Sequence, residues 1–459
     1  MKNITLLLFA LFPFFLSCSD DDKEKVKRDY FTDFVVNVKV GGDLRPTNIR
    51  IDNEMNKISI DFPLGSTPTA IPVDLELAAG VTMKSPSSTS NTFDLTEIVS
   101  VYLEYKGESH RYLIVGNYLP DSSGDVMKNG PVHDMSLLYY GGTHRATQWT
   151  DDELQANVTY MDQAGKEHWL FDSFLFLEVQ TGDGRYFENG FDGPGARKEE
   201  WKELVDKYFA PNGPIIRLNA SISNSTMRLG VPKYKRRLII SMPAAFKDQK
   251  DWGEISGRAM DFSLTSDCVN ACSWYVDYVM QKFNEANLSY LSLDGIYFVA
   301  EQLTDNRHYL PSVADYIKSK NLKFYWIPYW GADGMGEWKD MRFNNAFLQP
   351  NYFFASQKPD YETFFNDVIT YAKSKNMALE MEFDERALKK NSLDYRADRL
   401  RDYIRAFESH GITRTYPIAY YQSDCMVYSL KSSVYEEDKA LYHELCSMIS
   451  NRQKARGEK

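Results

Sequence analysis

Positive charge is in short supply along this chain. Its 53 Lys and Arg stand against 64 Asp and Glu, a net charge of −11. Nucleic acids and anionic membrane surfaces are held by clustered cations, so neither is expected as a partner. A sulfated or uronate-rich polymer is disfavoured for the same reason. Histidine is scarce at 7 residues, and none stands plainly at a strand end beyond His144. Metal centres in barrels draw on His, so no metal site is expected. No Gly-x-Gly-x-x-Gly follows a strand-like run, which removes the phosphate-binding turn of a dinucleotide fold, and no cofactor is expected. Cysteines number only 5. Cys268 and Cys272 sit on a predicted helix with no His pair at ligand spacing, and read as buried thiols; a bridge between Cys425 and Cys446 is left open.

Aromatic residues are plentiful, with 30 Tyr, 27 Phe and 8 Trp. They serve large cores and sugar-stacking platforms equally well. At the N-terminus, Lys2 precedes an apolar stretch from Ile4 to Leu16, shorter than the about 20 residues that span a bilayer. It ends in Phe15-Leu16-Ser17-Cys18, followed by Ser19-Asp20-Asp21-Asp22. The first motif resembles a bacterial lipobox, and the second resembles the acidic tag of Bacteroidota-type surface lipoproteins. That resemblance implies a signal peptide over 1–17, lipidation at Cys18, and an outer-membrane lipoprotein facing the exterior. The lipid anchor would then be the sole membrane contact. Residues 18–29 read as a charged tether.

Two textures follow. From 30 to 118, short alternating runs such as Ile71-Pro72-Val73-Asp74-Leu75 are punctuated by Gly, Pro, Asn and Ser. Period two with regular turns predicts a small Ig-like β-sandwich, with no cluster of catalytic residue types. From 130 to 455, eight strand-length apolar runs alternate with amphipathic helical stretches, the signature of βα units. The runs are 135–140, 169–177, 238–242, 291–299, 322–327, 346–352, 377–383 and 416–421. An α/β (β/α)₈ barrel of the TIM type is the expected fold, with a doubly wound open sheet as the competitor.

In such barrels the chemistry sits at the C-terminal strand ends. The fourth run carries Tyr297 on the same face as Glu301. The seventh, Met377-Ala378-Leu379-Glu380-Met381-Glu382-Phe383-Asp384, sets Glu380, Glu382 and Asp384 on one face and Leu379, Met381 and Phe383 on the other. The apolar face must meet the helices, so the carboxylates are expected to point inward. There they cost several kcal/mol unless paired, which favours function over a buried ion-pair network. Two carboxylates across a mouth can split a glycosidic bond, retaining configuration at about 5–5.5 Å separation and inverting at about 6.5–9.5 Å. The other strand ends supply a candidate sugar lining: Tyr140, Asp172, Trp326, Tyr329, Trp330, Gln349, Asn351, Tyr352, Tyr420, Tyr421 and Gln422.

Acids on strands four and seven resemble the clan A retaining glycoside hydrolases. That likeness implies Glu301 as acid/base and Glu382 as nucleophile. The clan places Asn before the acid/base, and here the residue is Ala300. Five ordered blocks resemble a further family, domain of unknown function 4855. They are His133–Tyr139, Leu170–Leu175, Trp326–Tyr329, Gln349–Tyr352 and Glu380–Asp384. The resemblance implies a surface protein of polysaccharide-degrading bacteria and no particular reaction. A glycoside hydrolase acting on an extracellular polysaccharide or oligosaccharide is the leading expectation, alongside other surface glycan-uptake proteins. A non-catalytic glycan-binding lipoprotein competes with it, and a metal-dependent hydrolase using Glu380, Glu382 and Asp384 is the third reading.

Overall fold

Alternation in the first third of the chain builds two β-sheets, in a computed structural model that describes residues 33–458 apart from 54–55, 64–65, 97, 118–127 and 130–131. The expected signal segment, Cys18 and the tether lie outside the described residues. The chain divides into two units at residue 120. In the first, strands Val35–Val40, Ile71–Leu77 and Ser90–Phe93 form one sheet; Asn48–Asp52, Lys57–Asp61, Glu108–Asn117, Val99–Tyr105 and Thr82–Ser85 form the other. Ile71, Val73 and Leu75 turn inward while Pro72, Asp74 and Glu76 turn out. Those inward residues share one core with Ile58, Val101, Leu103 and Ile114 of the second sheet. The unit is a two-sheet sandwich.

The second unit is a closed barrel of eight parallel strands. In chain order they are Asp134–Tyr139, Ser173–Leu177, Tyr234–Met242, Leu291–Phe298, Lys323–Trp326, Asn345–Leu348, Ala378–Glu382 and Ile418–Tyr421. The first strand bonds to both the second and the eighth, and the second to the third, so no edge is left open. That closure removes the doubly wound alternative. Met135, Leu137, Tyr139, Leu175, Ile239, Tyr297, Val299, Tyr325, Phe347 and Ala419 fill the interior. Strands four and five approach so closely at Gly295 that a Cβ there would lie 2.3 Å from the Lys323 carbonyl oxygen, which demands glycine.

Helices Lys198–Tyr208, Pro214–Leu229, Thr265–Ala286, Leu310–Ser319, Tyr361–Ser374, Ala397–Ser409 and Glu436–Ala455 lie where the amphipathic stretches predict them. A shorter helix, Asp151–Val158, was not expected, although Thr150 and Glu153 close a capping box on it. Among the described residues no helix joins strands five and six. Phe343 from that connection instead stacks on Phe324 at 4.4 Å and on Trp326 at 5.3 Å, covering the strands as a helix would. Cys268, Cys272, Cys425 and Cys446 are all free thiols, so Cys425 and Cys446 form no bridge. Among the described residues no helix is long and apolar enough to cross a membrane.

The N-terminal end of the barrel is closed by charge. Asp134, fully buried, accepts from Arg452 Nε at 2.6 Å, Gln453 Nε2 at 2.8 Å and the Tyr420 hydroxyl at 2.9 Å. Asp172 accepts the backbone N–H groups of His133 and Asp134 and pairs with Arg456. Asp172 and Tyr420, expected among the sugar contacts, therefore belong to this closure. Asp172 precedes its strand, and Tyr420 faces away from the interior that its neighbours Ala419 and Tyr421 line. Burial alone would raise the Asp134 carboxyl, but Arg452, His133 and Arg456 outweigh it and hold it well below the usual carboxylate range.

A lowered folded-state value means that this carboxylate stabilises the fold above its unfolded value near 3.8 and ceases to as pH falls. Asp134→Asn leaves Arg452 buried without its counter-charge. It should cost about 3–5 kcal/mol at pH 7 in urea unfolding, with the cost beginning to shrink only below the unfolded value near 3.8.

Candidate active site

Period two decides which side chains of strand seven meet the interior. Ala378 is part of the interior cluster, so Glu380 and Glu382 follow it inward. Leu379, Met381 and Phe383 are fully buried on the opposite face, toward helices Tyr361–Ser374 and Ala397–Ser409. Glu382 Oε2 accepts the Tyr403 hydroxyl at 2.5 Å and the Asn351 backbone N–H at 2.6 Å. Asn351 presents that N–H from a left-handed conformation (φ 64°), which Asn tolerates better than most residues. The Gln349 side chain bonds to the same carboxyl. Glu382 Oε1 and Glu380 Oε1 have no hydrogen-bond partner although both residues are buried.

Glu301 stands just past strand four and is partly accessible. Trp326 explains why that strand end holds its place: from outside the barrel its Nε1 donates to the Ala300 carbonyl at 2.7 Å. The Glu301 backbone N–H donates to the carboxyl of Glu188, which also accepts the Gly190 N–H at 2.9 Å. Glu188 lies in the long connection after strand two, where the sequence reading assigns no function. The available signal was its position, a Glu in a βα connection at the working end of the barrel. Asn189 and Asn306 pair their amides at 3.2 Å and tie that connection to the one after strand four.

The charges acting on this cluster are its own. Burial, then Glu188 and Glu382, push the Glu301 carboxyl up to about 8. Burial raises Glu188 to about 7 against the two N–H groups that favour its charged form. Burial, then Glu382 and Glu301, hold Glu380 well above the carboxylate range. Glu382 is raised by burial and pulled back by Tyr403, Asn351 and Gln349. Around them Tyr139 meets Tyr421 edge-on at 6.1 Å, and Tyr421 meets Phe354 at 5.7 Å. His144 stacks on Tyr139 at 4.5 Å and bonds to Glu178 at 2.6 Å. Farther along the strand-two connection, Phe191 is 53% exposed and stacks on Tyr186 at 5.4 Å.

Among the expected lining residues, Tyr297, Gln349, Asn351 and Tyr421 do gather with Glu301, Glu380 and Glu382. Tyr329 is half-buried and bridges to Gln349. Several others are placed elsewhere. Tyr140 faces Tyr208 of an outer helix, and its neighbour Tyr139 takes the interior position. Tyr352 donates to Asp402 at 2.9 Å on the helical side. Gln422 is spent on Ser136 at 2.6 Å and Asn157 at 2.7 Å, both buried contacts. Trp326 is wholly buried behind strand five, and Trp330 packs edge-on against Tyr371. Asp384 is held by Arg386. One-residue errors of phase account for Tyr140, Trp326 and Tyr420, since each step along a strand changes the face. Among the described residues no three His, Cys, Asp or Glu are grouped to hold a metal ion.

Fold and mouth together define a (β/α)₈ barrel with an unneutralised carboxylate cluster at the C-terminal strand ends. The family described as "Domain of unknown function (DUF4855)" matches residues 134–447, and the chain belongs to it. No curated protein matches the chain. Among solved structures it is similar to the catalytic domain of a family GH18 chitinase from the fern Peteris ryukyuensis: identity 12%, coverage 68% of this chain and 99% of that one, TM-score 0.37. It is similar to a GH113 β-1,4-mannanase at 11% identity, over 72% of this chain and all of that one, with a TM-score of 0.35. A tryptophan synthase α-subunit from Pyrococcus furiosus also matches, at 9% identity and a TM-score of 0.29 over 70% of this chain and 98% of that one. A Bacteroides thetaiotaomicron structure is covered over only 24% of its length. These likenesses are too distant to bear on chemistry.

Trp326→Phe keeps the stacking on Phe343 and removes the bond to Ala300. Urea unfolding should show a loss of about 1 kcal/mol.

Proposed function

We propose that the chain is a glycoside hydrolase acting on a glycan outside the cell, with Glu301 as proton donor and Glu382 as nucleophile. One observation carries the reading. Glu382 is anchored through Oε2 alone, its Oε1 is unengaged, and its charge acts on a partly accessible Glu301 across the mouth. With a carboxyl raised to about 8, Glu301 holds its proton at neutral pH, as a general acid must. The two donors on Glu382 Oε2 favour the ionised form a nucleophile needs.

In the first step Glu301 protonates the glycosidic oxygen, the bond from that oxygen to the anomeric carbon breaks, and Glu382 Oε1 forms the glycosyl ester. In the second, the Glu301 carboxylate takes a proton from water, whose oxygen displaces Glu382 and restores the starting state. Tyr139, Tyr421 and Phe354 offer the aromatic surface such a ring packs on, with Gln349 beside them. The exposed Phe191, braced by Tyr186, suits a sugar unit beyond the cleavage point. Attachment to the outer membrane through Cys18 and cooperation with other surface glycan-uptake proteins complete the proposal.

Turnover of polysaccharides by the purified ectodomain tests it. Glu301→Gln and Glu382→Gln should each lose at least about a hundredfold in rate, while affinity for the glycan stays within a few-fold. Cleavage by both variants would refute the assignment, and a wild-type protein that binds glycan without cutting it would support the capture reading. The rate should decline above about pH 8 as Glu301 gives up its proton. Phe191→Ala should weaken polymer binding roughly threefold to tenfold, leaving the rate on a short aryl glycoside unchanged.

A further inference from the structure

A hydrogen-bond count at strand seven does not close as the cluster stands. Glu382 can accept through both oxygens, yet only Oε2 has donors. Glu380 is 1% exposed, and its Oε1 is likewise orphaned. The two sit two residues apart on the same face, so their carboxyl groups lie in successive layers of one interior wall. The titratable groups that sense Glu380 from the neighbouring elements are Tyr297 on strand four, Tyr421 on strand eight and Tyr403 on helix Ala397–Ser409. Burial keeps all three tyrosines protonated, and the remaining neighbours are the carboxyls of Glu382 and Glu301. Among the described residues no cation is paired with Glu380. Buried polar groups left without partners are rare, and each calls for an explanation.

We propose that Glu380 is a positioning residue that keeps its proton in the free protein and donates it as a hydrogen bond to the open Oε1 of Glu382. Strand seven then carries one proton and one negative charge, and both orphaned oxygens are satisfied by a single O–H. The arrangement deepens the hydrolase reading and rests on it for its purpose: it lets Glu382 stay ionised in a site with no cation. When the substrate enters, the anomeric carbon competes for Oε1, and the O–H of Glu380 supports the carboxylate until it becomes an ester. No proton needs to leave the pair during the reaction.

The held proton is tested without any substrate. A group whose folded value lies above its unfolded one contributes stability that is full below the unfolded value, near 4.5, and is lost as pH rises toward the folded value. Glu380→Gln keeps shape and donor but has no proton to lose. Its Tm should match the wild type at pH 4 and exceed it at pH 8. A Tm difference equal at both pH values would overturn the proposal. Infrared spectra in heavy water near neutrality should show the carbonyl band of a protonated carboxyl in the wild type, reduced in Glu380→Gln. Absence of that band from the wild type overturns the proposal without reliance on any variant.

A third measurement separates this inference from the hydrolase reading. Glu380→Leu removes the donor, so the acidic limb of the kcat/KM profile should move up by about one pH unit, while Glu380→Gln leaves it within a few tenths. If the stability and infrared results hold but the limb stays still in Glu380→Leu while Glu382→Gln abolishes turnover, the hydrolase reading stands and the hydrogen bond from Glu380 to Glu382 falls.

Discussion

The C-terminal mouth of this barrel gathers several carboxyl groups, and among the described residues no cation is paired with Glu301, Glu380 or Glu382; that imbalance governs the site. A buried charge is costly in proportion to how completely it is removed from water. Here the protein answers with proton occupancy instead of counter-charge. Glu380 has nothing but like charges and neutral phenols for company. Glu301 is lifted by burial, then by Glu188 and Glu382, while Tyr403, Asn351 and Gln349 pull the raised Glu382 carboxyl back to about 7. The opposite end of the same barrel solves the problem the other way, with Asp134 and Asp172 neutralised by Arg452 and Arg456. One end is held by ion pairs; at the other, burial and like charges raise the carboxyls.

Much of this was readable from residue order. Eight apolar runs gave all eight strands because a strand covered on both faces tolerates few polar residues. The acidic alternation in Glu380-Met381-Glu382 was the clearest signal of all, since only one orientation buries Leu379, Met381 and Phe383 against helices. The placement of Glu301 and Glu382 at one mouth follows from topology once the strands are counted.

What was not readable has two physical causes. Phase is lost at strand ends, where the pleat gives way to irregular backbone. Tyr140, Trp326 and Tyr420 therefore fell on the wrong face while Tyr139 was passed over. Irregular connections carry no periodicity either, so Glu188 and its contact with the Glu301 N–H had no pattern to announce them. Trp326 shows that an error of face is not an error of relevance. From behind the strand it fixes the carbonyl next to Glu301.

The ion pairs at the N-terminal end have a temporal meaning as well as an energetic one. Arg452, Gln453, Arg456 and Glu458 lie beyond the eighth strand, yet they complete Asp134 on the first strand, Asp172 before the second and Arg236 on the third. A ribosome delivers those strands hundreds of residues before it delivers their partners. Until then the first strands have no eighth strand to pair with, and Asp134 has no arginine. The N-terminal closure of the barrel is thus complete only once residues 452–458 are in place, and substitutions there act on strands far away in the chain.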